Sequence, residues 1–534
     1  MAWSGEFITK ADLGIAYRKA KADLFYEREH PNAFALCEYE QNLHKNLSAL
    51  FDRLTSGDLA WMKEPEFLGG WALIPKSLDV KPTAEGSWRP SDPDEAWKAL
   101  AGQRPPESHS KSDKPIAAFR VVGVHSIEFH VVSALWMFKV GHFYDSVLTR
   151  DAYAYRLRRI RSRKTDPDSE QVETPNLDSL GSFPRYVRPF GKWRDNGLRT
   201  MRESLRQGKP IVAITTDVRQ FFHSISPDFL LDEQYLGAVG LTRRLGQNER
   251  EFTGAIVDSL LSWTARTPVS RGSRRIGLPV GLPAARLIAN VSLAEFDIAI
   301  RKEVVPLYYG RYVDDIILVF ENTRRFQNEI EVWKFICERV PHLDLKIDGE
   351  IEVRFTPPYL RNSEIVLAGT KQKVFSLEGD SGSTLVESIE HQILERASEW
   401  RALPERPVDP NALQADLVSA WGKDGEEVDN LRKADALSLR RAAVAIRLRD
   451  MEAFEQDLRC DDWKIQRQIF LKTMKDHLLA LPHFFSFSNY FPRIFALAIA
   501  CKEYDLAVDL IQRLTKVIDL VQKDCTPSIV GSKR

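Results

Sequence analysis

Tyr312-Val313-Asp314-Asp315 sits inside a run of strand-forming residues, with Leu307-Tyr308-Tyr309-Gly310-Arg311 before it and Ile316-Ile317-Leu318-Val319-Phe320 after. Two apolar β runs joined by so short a polar pair read as a β-hairpin whose turn carries adjacent carboxylates. Neighbouring aspartates repel, so a buried turn tolerates them only where a cation compensates. A divalent metal is the usual compensation, and oxygen-only ligands suit magnesium or manganese. The plainer reading is a solvent-exposed Asp-Asp turn. What weighs against it lies elsewhere in the chain.

Upstream, Ile211-Val212-Ala213-Ile214-Thr215-Thr216-Asp217 is a short apolar strand ending on a carboxylate, followed by Val218-Arg219-Gln220-Phe221-Phe222. Nucleotidyl transfer by two metals needs carboxylates from two separate strands, holding ions about 3.5–4 Å apart. Asp217 on one strand, with Asp314 and Asp315 on a hairpin, meets that need. Between them, Gly277-Leu278-Pro279-Val280-Gly281-Leu282-Pro283 feeds an apolar helix running through Asn290 toward Ile300. Its glycines let a backbone approach a base or sugar closely.

In this order and spacing the three pieces resemble the palm of reverse transcriptases. Asp217 with Phe222 is similar to that family's motif A, Gly277 to Asn290 to its motif B, and Tyr312 to Asp315 to its motif C. Tyr153-Ala154-Tyr155-Arg156-Leu157-Arg158-Arg159 resembles a fingers motif that sets an arginine near the incoming nucleotide. Ala16-Tyr17-Arg18-Lys19-Ala20-Lys21 and Lys371 to Gly379 are similar to segments of the bacterial defence-associated and abortive-infection group. Among these, the type 3 systems, which pair two reverse transcriptases with a noncoding RNA, are the nearest subgroup. The resemblance spans roughly residues 110 to 380. Two departures stand out: Val280 occupies a position where the family often has glutamine, and Lys346 is only an out-of-register match for the lysine that protonates pyrophosphate.

The resemblance implies an RNA-directed or template-independent DNA polymerase of an antiphage system, with deoxynucleotide substrates and Mg²⁺, or Mn²⁺ in its place. It implies metal ligation by Asp217, Asp314, Asp315 and the Val218 carbonyl. Phe222, Arg156 and Gly281 would contact the nucleotide, with Phe222 excluding a ribose 2′-hydroxyl. Implied partners are a noncoding RNA template or a DNA product, and a second reverse transcriptase or another copy of the chain. Two alternatives remain: a mobile-element or intron-type reverse transcriptase, and a non-catalytic scaffold binding RNA or a partner. The first would be expected to append a basic maturase segment or a His/Cys endonuclease, and the tail shows neither. Loss of a metal carboxylate would favour the second, and none is lost.

The 75 basic and 75 acidic residues cancel, which argues against a protein that coats nucleic acid indiscriminately. Locally, Arg156, Arg158, Arg159, Arg161, Arg163 and Lys164 form one basic run, and Arg271, Arg274 and Arg275 another. Their flanking of the acidic turns points to phosphate binding by Arg158, Arg159, Arg274 and Arg275, against a plain solvated face. No apolar run approaches the roughly 20 residues of a membrane span. The start lacks a signal-peptide order, and the five cysteines have neither disulfide nor zinc spacing. A cytoplasmic protein without a zinc site or a membrane partner is expected.

The expected fold is an α+β fingers-palm with an antiparallel sheet over 111–380, after an N-terminal helical extension and linker over 1–110. An all-α, thumb-like or helical-repeat domain is expected over 381–534. Leu13, Ala16, Tyr17, Ala20 and Leu24 predict a helix across 12–30. The Pro- and Ser-rich stretch from Pro75 to Pro106 predicts a loop, and Thr165 to Glu170 a mobile one. Ala445–Phe454 aligns with Ala498–Ala507 as a helix-turn-helix repeat, with an irregular bundle the alternative. The aromatic cluster from His483 to Phe491 reads as core or interface in preference to a base-stacking platform, because no basic residue interleaves with it before Arg493.

Overall fold

The computed structural model describes residues 3, 6–25, 33–79, 92–102, 114–161, 173–270, 276–348, 350–367, 372–399, 418–421, 436–439, 441–481 and 483–531. It is a mixed α+β structure with small, mainly antiparallel sheets. Its compact units are interleaved in sequence. One comprises Met1–Ala72, Val121–Glu390 and Gly531–Lys533; the other comprises Leu73–Arg120 and His391–Val530, with Arg534. The segment expected as an N-terminal extension thus contributes to both.

The first unit is built on a four-stranded antiparallel sheet in the order Lys373–Leu377, Ile211–Asp217, Asp315–Glu321, Tyr308–Tyr312. The central strand Asp315–Glu321 is buried from Ile316 to Phe320, as a strand covered on both faces must be. One face is covered by the helix Val187–Arg206. There Trp193 Nε1 donates to the Gly310 carbonyl (3.0 Å), and Tyr308 donates back to the Trp193 carbonyl (2.6 Å). Gly197 gives a close approach here, since a Cβ would stand 3.1 Å from the Tyr308 ring and 3.3 Å from Ile317 Cγ2 and those side chains would have to give way slightly. The other face carries Tyr309 and Arg311, which meet the helices Pro283–Val291 and Ala294–Ala299. A second antiparallel sheet joins Leu343–Asp348, Glu350–Phe355 and Ile365–Leu367.

The expected N-terminal helix is present over Lys10–Phe25, with Leu13, Ala16, Tyr17, Ala20 and Leu24 buried. Its basic residues are not merely a solvated face. Lys19 is buried and donates through Nζ to the carbonyls of Asn176, Ser179 and Gly181, at 2.7, 3.2 and 3.3 Å.

In the second unit the helices Arg441–Asp457, Lys464–Thr473, Phe491–Ala500 and Tyr504–Asp524 enclose a core that includes Trp97, Leu448, Phe454, Trp463, Phe470 and Leu510. Phe484, Phe485 and Phe487 are part of that core, so the aromatic cluster is packing and not a stacking platform. The unit is not all-α: Val418–Trp421 pairs with Ala436–Leu439, and Thr526–Ile529 runs parallel to Ile116–Phe119. Ala445–Phe454 lies within one continuous helix, whereas Ala498–Ala507 contains the break at Cys501. The two segments therefore do not form equivalent repeats.

Of the stretch from Pro75 to Pro106, expected as a loop, residues 80–91 and 103–106 lie outside the described residues, and the described parts carry regular structure. A strand runs on to Asp79, and a helix spans Pro93–Gly102. The reason is local: Asp92 Oδ1 accepts from the amides of Asp94 and Glu95 (2.9 and 3.0 Å), and Pro93 takes the first helical position, where its missing N–H costs nothing. Thr165 to Glu170 lies outside the described residues. No described helix is long and apolar enough to cross a membrane, and none of the five cysteines, all of them described, is in a disulfide.

Candidate active site

The hairpin read from the sequence is present. Tyr308–Tyr312 and Asp315–Glu321 pair antiparallel with Tyr312 opposite Asp315, leaving Val313 and Asp314 as the two-residue turn. Val313 has φ +60°, at the position where a hairpin of this kind takes glycine. Holding a β-branched residue there costs of order 1–3 kcal/mol and persists only where surroundings over-determine it. They do here. Val313 is buried, its carbonyl accepts from Arg311 Nη1 (2.9 Å), and the Asp314 carbonyl accepts from the Val218 amide (3.0 Å).

The strand that ends at Asp217 pairs with the hairpin so that Asp217 stands directly opposite Asp315. Opposed residues share a face of the sheet with Cβ atoms about 4.5–5.5 Å apart, and like charges in that position repel. Three carboxylates, two on paired strands and one in the turn, are thus gathered at one end of the sheet: Asp315 exposed, Asp217 and Asp314 half-buried. Among the described residues no three His, Cys, Asp or Glu side chains converge into a finished metal cage. The donors are nevertheless all oxygen, and magnesium typically binds through one or two carboxylates plus substrate phosphates and water, without an all-protein cage. The donor set fits such an ion in chemistry.

Beyond Asp217 the chain is fixed on both sides. Val218 bridges Leu367, and the Arg219 amide donates to the Val366 carbonyl (2.8 Å). The Gly277–Val280 loop docks beside it: the Gly277 amide donates to Ile225 (2.8 Å) and the Leu278 amide to the Phe222 carbonyl (2.7 Å). Gly277 and Gly281 have φ of +120° and +110°, a region that disfavours a side chain. The Gly123 amide donates to the Val280 carbonyl (2.8 Å), and a Cβ on Gly281 would sit 3.4 Å from the Gly123 carbonyl oxygen. Phe222 is half-buried, its ring centroid 6.1 Å from that of Phe221. Thus Asp217, Phe222 and the glycine loop are brought together by main-chain hydrogen bonds.

The basic run upstream is turned inward. Arg156 and Arg159 both pair with fully buried Asp145, at 3.1 and 2.8 Å. Arg156 also donates to the Thr149 carbonyl (2.8 Å), Arg159 to that of His142 (2.7 Å), and Arg158 to that of Phe183 (3.0 Å). These guanidiniums fasten the segment 156–159 to its surroundings. Arg163, Lys164, Arg271, Arg274 and Arg275 lie outside the described residues.

The sequence reading missed what holds the turn from behind. Arg311 is fully buried, and every N–H of its guanidinium is used. Nε and Nη2 grip Asp297 (2.8 and 2.6 Å), Nη1 meets Asn290 Oδ1 (2.7 Å) and the Val313 carbonyl, and Nη2 meets the Asn290 carbonyl (3.1 Å). Tyr309 donates to Asp297 (2.6 Å), and Asn290 Nδ2 to the Ala154 carbonyl (2.8 Å). Burial opposes the charge on Arg311, but Asp297 more than compensates, so its pKa is raised. Burial, then Asp297, likewise drives the Tyr309 phenol well above its usual range. The available signal was one arginine, one aspartate and one asparagine on otherwise apolar faces, residue types that are seldom buried without partners.

No known family model matches this chain, and no curated protein matches it in sequence.

Proposed function

We propose that this protein is a reverse-transcriptase-like DNA polymerase that adds deoxynucleotides to a growing strand, acting in bacterial defence against phage. The observation that carries the catalytic reading is the in-register opposition of Asp217 and Asp315, beside a strained Val313–Asp314 turn held at both carbonyls. Opposed like charges weaken a strand pair. Bound cations would offset that repulsion.

Asp217, Asp314 and Asp315, with the Val218 carbonyl, would hold Mg²⁺ or Mn²⁺. When bound, such ions supply the positive charge that stabilises the attacking and leaving oxygens of phosphoryl transfer. The chain's own contribution is position. Hydrogen bonds from Val218 and Arg311 fix the turn that bears Asp314, so little reorganisation is needed when a triphosphate arrives. The Leu278 amide on the Phe222 carbonyl ties residue 222 to the glycine loop, and its ring would lie under the sugar. Gly281, whose φ of +110° disfavours a side chain, would offer the nucleotide bare backbone.

The resemblance of Ala16–Lys21, Asp217–Phe222, Gly277–Asn290 and Tyr312–Asp315 to the defence-associated group supports the antiphage setting, with synthesis copied from a noncoding RNA or made without a template. The test is to purify the protein from its host with its bound nucleic acid, supply labelled deoxynucleotides with magnesium, and sequence the RNA and the product. Label incorporated by the parent and lost with Asp314→Ala supports the reading. No incorporation under any template or primer overturns it.

A further inference from the structure

The helix Val187–Arg206 has a buried side and an exposed side of different chemistry. Trp193, Gly197, Leu198, Met201 and Leu205 face inward, while Arg188, Lys192, Arg199 and Arg206 are exposed. Their spacing of four, seven and seven residues keeps the cations on one stripe. At 1.5 Å per residue the stripe is roughly 27 Å long. Among the described residues Arg188, Lys192 and Arg206 make no ion pair, and Arg199 reaches only the neutral Asn196 (2.8 Å). Two acids share the face. Asp195 is held by Arg194 (2.9 Å), and Glu203 lies between Arg199 and Arg206. The stripe is therefore net basic and available to an external anion.

Its position gives it a use. Phe190 packs edge-on against Tyr312 (centroids 5.2 Å), and Tyr312 is the register partner of Asp315. Gly197, two turns later, touches Tyr308 and Ile317, farther along the same strands from the carboxylates. The helix thus starts beside the acidic end of the sheet and leads away from it. Tyr186, 69% exposed, stands at that start and offers a free aromatic face.

We infer that the exposed face of Val187–Arg206 is the track for the phosphate backbone of a single-stranded nucleic acid entering or leaving the site at Asp217 and Asp315, with Tyr186 stacking on one base. A basic groove joined to an aromatic face is the usual recognition of unpaired strands, and arginine and lysine on phosphates hold a strand without reading its sequence. The inference rests on the polymerase reading for the direction of the strand. Its test does not depend on catalysis.

The experiment is fluorescence anisotropy with labelled oligo(dT) in EDTA, without nucleotide, across a potassium chloride series. It uses the full chain and a variant carrying Arg188→Gln, Lys192→Gln, Arg199→Gln and Arg206→Gln, all at exposed positions. Each lost phosphate contact should lower the slope of log affinity against log salt by about 0.7, and low-salt affinity should fall about tenfold or more. Tyr186→Ala should weaken binding without altering that slope. Unchanged affinity and slope in the fourfold variant overturn the inference. So does competition by polyglutamate as effective as unlabelled oligo(dT), which would mark a surface for an acidic protein. A parent that binds through the stripe but incorporates no nucleotide leaves this inference standing and removes the polymerase reading; an active parent with an inert stripe does the reverse.

Discussion

Arg311 and Asp297 form a two-pronged ion pair, 2.8 and 2.6 Å, in which both side chains are wholly removed from solvent. Breaking such a pair from one side leaves an uncompensated buried charge, at a cost of about 3–5 kcal/mol. Arg311→Lys keeps the charge but loses the fork that reaches Asn290 and Val313 together. We expect Arg311→Lys and Asp297→Asn each to lose about 3 kcal/mol in urea unfolding. A loss below about 1 kcal/mol in both would mean the pair is not what holds the turn.

The opposed carboxylates make an unusual pair of demands. Asp217→Ala, Asp314→Ala or Asp315→Ala is expected to abolish incorporation while leaving the fold intact. Without divalent ions, Asp217→Asn should also stabilise the protein by about 0.5 kcal/mol, because it relieves repulsion across the strand pair. Thermal melts in EDTA, with and without added magnesium, check both halves. Wild-type turnover by any of the alanine variants would falsify the assignment.

Phe222 is half-buried, so its truncation should cost less than the roughly 3–5 kcal/mol of a fully buried ring. Phe222→Ala is accordingly expected to stay folded and to admit ribonucleotides that the parent rejects. Ribonucleotide incorporation measured beside the melting temperature checks this, and a folded variant with unaltered sugar selectivity refutes the steric role.

His142 supplies a pH dependence. Burial lowers its pKa from 6.5 to about 4, and the neighbouring Arg159 guanidinium adds to the shift. The folded protein therefore binds fewer protons than the unfolded chain between those values. Stability is complete above 6.5 and falls as pH drops toward 4, by up to about 3 kcal/mol. Relative to His142→Gln, which does not titrate here, the parent should lose stability progressively as pH falls across this window. Parallel curves would show that the histidine is not held neutral.

Removing residues 391–534 strips Trp97, Ala117, Leu78 and Phe119 of the core they share with Val444, Leu448 and Phe454. The expected product of a stop codon after Glu390 is aggregated protein, checked by sedimentation of the lysate. A soluble, monomeric truncation would show that Leu73–Arg120 finds other partners.

The sequence by itself determined the local elements whose signals are short-ranged. The hairpin at Tyr312–Asp315 follows from two β runs around a polar pair, the strand into Asp217 from its apolar run, and the first helix from its 3.6-residue pattern. It also supplied the caps at Asp92 and Pro93, although composition masked them. The tertiary structure alone decided the pairing register that sets Asp217 against Asp315, and the inward turn of Arg156 and Arg159 onto Asp145. It alone also decided the burial of Arg311 among Asp297, Asn290 and Val313, and the joining of Leu73–Arg120 to a core more than 300 residues downstream. The division is physical. Backbone propensity and amphipathic period act over a few residues, whereas the partner of a buried charge is chosen by whichever distant group can repay its desolvation, and only the assembled fold brings that group within reach.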